Sequence, residues 1–421
     1  MTDGDLHRSI EAVWRTESTR LVAALVRMTH DVGLAEDLAQ DALVAALTQW
    51  PDAGLPTRPG AWLMAVAKRR AIDGFRRRER QDVAYAGIAE REGGRFVDDI
   101  ASAVDHVDDD VLRLMFICCH PALGSDAQVS LTLRLLAGLT TGEIARSFLT
   151  SESTIAARVT RAKKTLAAVE APMEEPAGDE RRERLDDVMR VVYLLFNEGY
   201  SATSGDDWLR PALCDEAVRL GRILAVLVPD DPEVHGLISL MELQHARAAA
   251  RTDAGGAPVL LMDQDRARWD GLLIRRGLAA LERATTSGRA VGTYVLQAEI
   301  AACHARARTA GETDWARIAE VYAVLAGVTG SAVVELNRVV AVSFADGPAA
   351  ALALLDGSDL SALDGYHLLP SVRGDLLARI GRTDDARAEL EAAASLTSNS
   401  RERSMLLQKV ATLDRQEGMP S

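Results

Sequence analysis

The chain has 421 residues, 48% of them hydrophobic and 26% charged, a composition for globular domains that hold a core without disulfide or metal staples. Its 48 Lys and Arg against 62 Asp and Glu leave a net charge of −14, which argues against a basic coat for unspecific nucleic-acid binding and leaves room for a local basic site. Few aromatics, 4% in all, and an excess of Ala, Leu, Arg and acidic residues point to an all-α fold. The four cysteines Cys118, Cys119, Cys214 and Cys303 form no CxxC pair, so neither a zinc ribbon nor a disulfide scaffold is expected, and no metal or cofactor. P-loop, HExxH and GxSxG patterns do not occur, which lowers the expectation of an enzyme. Without a signal peptide at the polar start or a bilayer-length apolar run, the expected location is the cytoplasm, with no membrane partner.

Residues 1–83 read as the first helical block. In "LAEDLAQDALVAAL", Leu34, Leu38, Ala42 and Ala45 take one side, and Glu36, Asp37, Gln40 and Asp41 the other. A solvated face is the plain reading; an acidic docking surface for a basic partner is the sharper one. "GAWLMAVAKRRAIDGFRRRER" follows Pro59, which suits a helix start. Between Lys68 and Arg80 it carries seven basic and two acidic residues. Arg69, Asp73, Arg76 and Arg80 lie along one row; the plain reading is a solvated basic face, and the sharper one is a helix that contacts phosphates and bases, because Lys and Arg release DNA counterions and Arg forks read base edges.

Residues 84–107 read as a linker, with Asp98, Asp99 and Asp105 in an acidic run that is expected to shield basic helices in the free protein. Residues 108–170 have the build of a helix-turn-helix. Thr140-x-x-Glu143 is a capping box. Ala145 and Ile155 sit where the two helices of such a unit pack. Thr150 or Ser151 caps the second helix, whose row Ile155, Val159, Ala162 and Leu166 is expected to be buried. Thr154, Arg158 and Arg161 are expected to face away, joined by Lys163 and Lys164, the division a major-groove helix needs. Leu149 stands at a turn where Gly is common. Cys118 and Cys119, among Leu114 to Ile117, are expected to be buried structural residues, and His120 a helix-end residue.

Residues 171–189, with Pro172, Pro176 and Gly178, read as a second linker. Residues 190–421 read as a helical domain of their own. Asn197, Glu198 and Tyr200 suggest a ligand site, although a helix ending at Gly199 is the commoner explanation. Gly347 and Gly381 are 34 apart at comparable turns, the tetratricopeptide period, so repeats of that kind are expected over about 290–415. Such repeats stack into a curved surface, here expected to take a protein or peptide ligand.

Over about residues 5–170, "AEDLAQDALVAAL", "RPGAWLMAVAKRRAIDGFRRR" and "LTTGEIARSFLTSESTIAARVTRAKK" resemble regions 2 and 4 of bacterial extracytoplasmic-function (ECF) RNA polymerase sigma factors of the sigma-70 family. The resemblance implies two small helical sigma domains and, with the extension, an ECF subset. It implies a non-enzymatic factor that binds core RNA polymerase, through the β′ clamp helices and the β subunit, and promoter DNA. Glu36, Asp37, Gln40 and Asp41 match the polymerase-docking region. Lys68, Arg69, Arg70 and Asp73, with Arg76 and Arg77, match the part that reads and opens the −10 element. Thr154, Arg158 and Arg161, with Lys163 and Lys164, match the −35 helix. Ala156 stands where many relatives have a base-contacting Arg, and Trp62 aligns with a structural aromatic. The extension is expected to regulate in cis. The alternatives are a one-component helix-turn-helix regulator, a repeat scaffold and, last, an enzyme.

Overall fold

The computed structural model describes residues 3–85, 107–148, 150–169, 176, 178–200, 211–253, 259–397 and 400–417. The acidic run around Asp98, Asp99 and Asp105, and Leu149, lie outside them. Among the described residues the regular structure is helical, and no helix is long and apolar enough to cross a membrane. The chain forms two compact units, Met1–Pro229 and Asp230–Ser421.

The first unit holds α1 (Asp3–Thr29), α2 (Val32–Ala53), α3 (Pro59–Tyr85), α4 (Val107–Cys118), α5 (Ser125–Leu135), α6 (Thr141–Ser147), α7 (Glu152–Ala168), α8 (Gly178–Tyr200) and α9 (Pro211–Leu227). Helix α1 is the spine, packing against α2, α3, α4 and α5. Asp31 caps α2 by accepting from the Leu34 N–H at 3.0 Å. Pro59 opens α3, where its missing N–H costs no hydrogen bond. Trp50 is fully buried and meets Trp62 edge to face at 5.2 Å, so Trp62 is packed on the core of the first three helices.

Two sequence expectations change here. The helix-turn-helix block and the first block lie in one compact unit. The stretch expected as a second linker is helical from Gly178, and α8 and α9 belong to the first unit. The reason is the apolar row Leu185, Val188, Val192 and Leu195 of α8, which is buried with α9 and against α4 and α5. Helix α8 also runs through Gly199, so that glycine does not end it. A side chain there would lie 2.8 Å from the Cys214 backbone nitrogen, so glycine lets α9 come close.

The second unit runs from α10 (Pro232–His245) through α11 (Gly271–Thr286), α12 (Thr293–Arg306), α13 (Trp315–Thr329), α14 (Ala332–Ala345), α15 (Pro348–Gly357), α16 (Leu368–Arg379) and α17 (Thr383–Leu396) to α18 (Ser400–Glu417). From α12 on, each helix packs on the next, the arrangement of a helical repeat. Gly347 and Gly381 have φ +93° and +81° and stand at equivalent turns before α15 and α17, where L-residues are strained. The earliest pair meets through α10, whose Gly236 would press a side chain to 2.6 Å from the Val295 backbone nitrogen of α12.

His304 of α12 is buried edge-on to Trp315 at 5.2 Å. Burial, then the nearby charges of Arg247 and Arg266, push its pKa from 6.5 down to about 4. The unfolded chain therefore takes a proton below pH 6.5 that the folded chain refuses until about 4. Stability is fully present above 6.5, falls between 6.5 and 4, and levels off below. In denaturant unfolding of the second unit, His304→Leu should remove about 3 kcal/mol of acid-induced loss across that window; a wild-type pH slope in the variant contradicts the assignment.

Candidate nucleic-acid interface

The helix-turn-helix forms from the signals in its sequence. Thr140 accepts from the Glu143 N–H at 3.1 Å, and Glu143 accepts from the Thr140 N–H at 2.8 Å, so the capping box is closed. These bonds and the nearby Arg15 and Arg146 hold the Glu143 carboxyl below its ordinary range, against the burial that would raise it. Ser151 caps α7 by accepting from the Thr154 N–H at 3.1 Å. Ala145 and Ile155 are both buried, as are Val159, Ala162 and Leu166. Thr141 donates to Glu152 at 2.8 Å and adds a polar tie between α6 and α7.

The outer face of α7 is less uniform than the helical pattern suggests. Thr154, Arg161 and Lys164 are exposed. Arg158 is half-buried and pairs with Asp126 of α5 at 3.0 Å. Lys163 turns inward and forms an ion pair with Glu36 of α2. Ala156 is exposed, so the face between Ser153 and Thr160 has a smooth stretch where an arginine would otherwise project.

Glu36 is the larger departure. It was expected on the solvated side of α2 with Asp37, Gln40 and Asp41. It is only 6% exposed. Its carboxylate accepts from the Arg134 Nε of α5 at 2.6 Å as well as pairing with Lys163. The physical reason is that α2 is covered on more than one side. Its Ala and Leu row packs on α1 and α3, and Glu36 faces the cations of α5 and α7. Asp37 and Asp41 are exposed and Gln40 is intermediate.

On α3, Arg69, Asp73 and Arg76 are exposed and Lys68 is half-buried. Burial, then the charge of Arg27, lowers the Lys68 pKa. Arg70 pairs with Asp41 at 2.9 Å; both groups are well exposed, so the pair adds little stability. The side chains of Arg77 and Arg80 lie outside the described residues. The basic row of α3 and the acidic row of α2 thus adjoin.

The helices of the extension meet the same block. Arg184 of α8 donates to the Phe116 carbonyl of α4 at 2.7 Å. Arg190 donates to the buried Gln128 of α5 at 3.3 Å, and Gln128 donates to the carbonyls of Cys119 and His120. Arg219 of α9 donates to the Leu136 carbonyl at 2.6 Å. Thr19 of α1 donates to that same carbonyl at 2.7 Å. Asp110 of α4, itself buried, takes Arg27 of α1 at 3.0 Å and Arg113 at 2.9 Å. Cys118 and Cys119 are free and buried. Burial pushes the Cys118 thiol well up and the Cys119 thiol to about 12, so both stay protonated and serve as packing. His120 follows the end of α4 and accepts from the Ala122 N–H through Nδ1 at 3.1 Å.

Comparison with known proteins accounts for this architecture. A model of sigma-70 region 2 matches residues 13–81, and one of sigma-70 region 4 matches residues 113–166. The chain belongs to the sigma-70 family. A third model, a family of unknown function called DUF6596, matches residues 184–285 of this sigma-70 family member. An uncharacterized protein of Rhizobium meliloti is 42% identical over 388 residues, 90% of each chain. A probable ECF RNA polymerase sigma factor, SigI, of Mycobacterium tuberculosis is 30% identical over 165 residues. That match spans 38% of this chain and 55% of SigI. The ECF RNA polymerase sigma factor SigK of a Mycobacterium species is 28% identical over 156 residues, 35% of this chain and 76% of SigK. No solved structure matches. Region 2 thus corresponds to α1–α3 and region 4 to α4–α7, and neither mycobacterial match is long enough to include the whole extension.

The Glu36 cluster is testable by itself. Side-chain exposures of 8% for Glu36, 17% for Arg134 and 21% for Lys163 place it among pairs whose disruption is expensive, about 3 kcal/mol when one partner is removed. Glu36→Gln should lower the unfolding free energy of the chain by about that amount. Adding Lys163→Met to it should cost less than the sum of the two single changes, by at least about 1 kcal/mol. Additive single and double variants in denaturant titrations show that Glu36 and Lys163 do not interact.

Proposed function

We propose that this chain is a sigma factor that binds core RNA polymerase, recognises −10 and −35 promoter elements and starts transcription, and that its extension regulates this activity in cis. Glu36, Asp37, Gln40 and Asp41 form the polymerase-docking row, with the β′ clamp helices as the partner and further contact to the β subunit. Lys68, Arg69, Arg70, Asp73, Arg76 and Arg77 serve the −10 element, and Thr154, Arg158, Arg161, Lys163 and Lys164 the −35 element. Opening the −10 strands costs a few kcal/mol per unstacked step, which base capture and stacking offset. The factor contributes recognition and strand opening; bond formation is the polymerase's chemistry.

One observation carries the cis regulation. Glu36 of the docking row and Lys163 of the −35 helix neutralise one another in a single partly buried cluster. Neither is available to an outside partner while the cluster stands. Polymerase docking and −35 binding therefore both require region 4 to leave region 2. Helices α8 and α9 favour the closed arrangement, because Arg184 and Arg190 hold α4 and α5 while Arg219 and Thr19 share the Leu136 carbonyl. The extension then sets how readily the two regions separate.

The test is transcription reconstituted from sigma-free core polymerase, genomic DNA fragments and the full chain, with transcript starts mapped. Starts preceded by shared −35 and −10 elements are expected. Arg69→Ala and Arg158→Ala should each reduce them about tenfold or more, the scale of one lost base or phosphate contact. Arg184→Ala with Arg190→Ala should raise output from the full chain. A chain ending at Pro229, which keeps α8 and α9 on their core, separates the effect of the second unit from that of the clamp. Equal output from all extension variants overturns regulation in cis. Operator binding without polymerase, with no starts from any variant, overturns the sigma reading in favour of a one-component regulator.

A further inference from the structure

Helix α7 is the second helix of the helix-turn-helix, the one such a unit lays in a major groove. From Ser153 to Ala168 it carries four cations and no acid, in a chain of net charge −14. Its buried row, Ile155, Val159, Ala162 and Leu166, fixes which side chains point the other way. At about 100° per residue the row opposite is Ser153, Ala157, Thr160 and Lys164, with Ala156 and Arg161 on either side of it. All six are exposed.

Most hydrogen-bonding groups on this helix are already committed. The Ser153 and Thr154 hydroxyls each share a hydrogen bond with the Ser151 hydroxyl, at 2.9 and 2.7 Å. Glu152 accepts from Thr141 of α6 at 2.8 Å. Thr165 donates to the Arg161 carbonyl at 3.1 Å. On the flanks, Arg158 is held by Asp126 of α5 and Lys163 by Glu36 of α2. What remains outward is of two kinds. Arg161 and Lys164 are exposed cations with no ion pair among the described residues. Ala156, Ala157 and Thr160 present methyl groups at the centre of the face, where an amide or a guanidinium would be needed to bond a base edge.

We propose that α7 recognises its DNA element by packing a thymine C5 methyl group against the methyls of Ala156, Ala157 and Thr160, while Arg161 and Lys164 hold phosphates. This rests on the reading of α7 as the −35 helix and names the base that helix prefers. In the major groove only thymine carries that methyl, and Ala and the methyl of Thr are side chains that contact it. Short side chains also let the helix backbone come near the base edges. The two cations, one turn beyond Ala157 and Thr160, supply affinity that every sequence shares. The methyl contact supplies the discrimination.

The experiment is reconstituted transcription from a promoter that the chain uses. Each thymine of its −35 element is replaced in turn by deoxyuridine, which pairs identically and lacks the methyl. Output is measured with the full chain and with its Arg184→Ala, Arg190→Ala form. At least one replacement should lower output about threefold to fivefold, the scale of one buried methyl. Thr160→Val keeps a methyl and should retain that ratio. Thr160→Ser, Ala157→Gly and Ala156→Gly each remove one, and at least one of them should bring the ratio towards unity. Lys164→Ala should weaken the thymine and deoxyuridine promoters by the same factor. Equal output from thymine and deoxyuridine at every position overturns the proposal. So does a −35 element without thymine, or an undiminished ratio in all three variants that lose a methyl. Loss of the ratio in Thr160→Val as well as Thr160→Ser puts the contact on the hydroxyl and overturns the methyl assignment. Starts that survive both Arg161→Ala and Lys164→Ala unchanged overturn the −35 reading itself, and this inference with it. No starts from either form of the chain overturns the sigma reading on which both depend.

Discussion

A carboxylate removed from water must find cations or lose its charge, and Glu36 finds two. Arg134 comes from the helix before the helix-turn-helix and Lys163 from its second helix, α7. The arrangement of the first unit follows from this constraint. Helix α2 cannot leave α5 and α7 without exposing an acid and two bases that presently satisfy one another. The Leu136 carbonyl repeats the theme at the end of α5, where α1 and α9 both donate to one acceptor. Buried Asp110 repeats it again between α1 and α4. Three polar junctions, each short of water, thus bind region 2, region 4 and the first helices of the extension into one body.

This gives the extension an unexpected boundary. The family model of unknown function begins at residue 184, inside the first compact unit, and ends at residue 285, inside the second. Its first part is therefore no appendix. Helices α8 and α9 supply apolar rows to the core beneath α4 and α5, and three arginines to carbonyls and an amide there. Its second part opens a helical array with its own core, whose turns depend on Gly347 and Gly381. One stretch of sequence thus contributes helices to both compact units.

Local signals were legible in the sequence wherever their physics is local. A Thr three residues before a Glu closes a capping box whatever surrounds it, and Ser151 caps its helix in the same way. The 3.6-residue period placed Ile155, Val159, Ala162 and Leu166 in the core because one helix face had to be buried. The apolar neighbours of Cys118 and Cys119 marked them as packing, and the raised thiols agree. The same period misassigned Glu36 and Lys163, since it assumes one buried face per helix. Helix α2 has neighbours on more than one side, and the polar position facing a second neighbour looks solvated until that neighbour is placed. Gly199 failed for a related reason. Near a helix end glycine signals a cap, but here it serves the close approach of α9, a contact between segments that no local pattern records. No local pattern singles out His304, because its neighbours Arg247, Arg266 and Trp315 come from different segments.

By itself, the sequence determined the all-helical class, the helix-turn-helix with its caps, the basic rows of α3 and α7, and the sigma-70 resemblance, all properties of period, propensity and charge along a short stretch. Only the tertiary structure decided that regions 2 and 4 share one body with α8 and α9, that Glu36 and Lys163 face each other, and that Arg247 and Arg266 lie near His304. Those facts depend on which segments meet, and pairing between distant segments is set by the fit of whole surfaces.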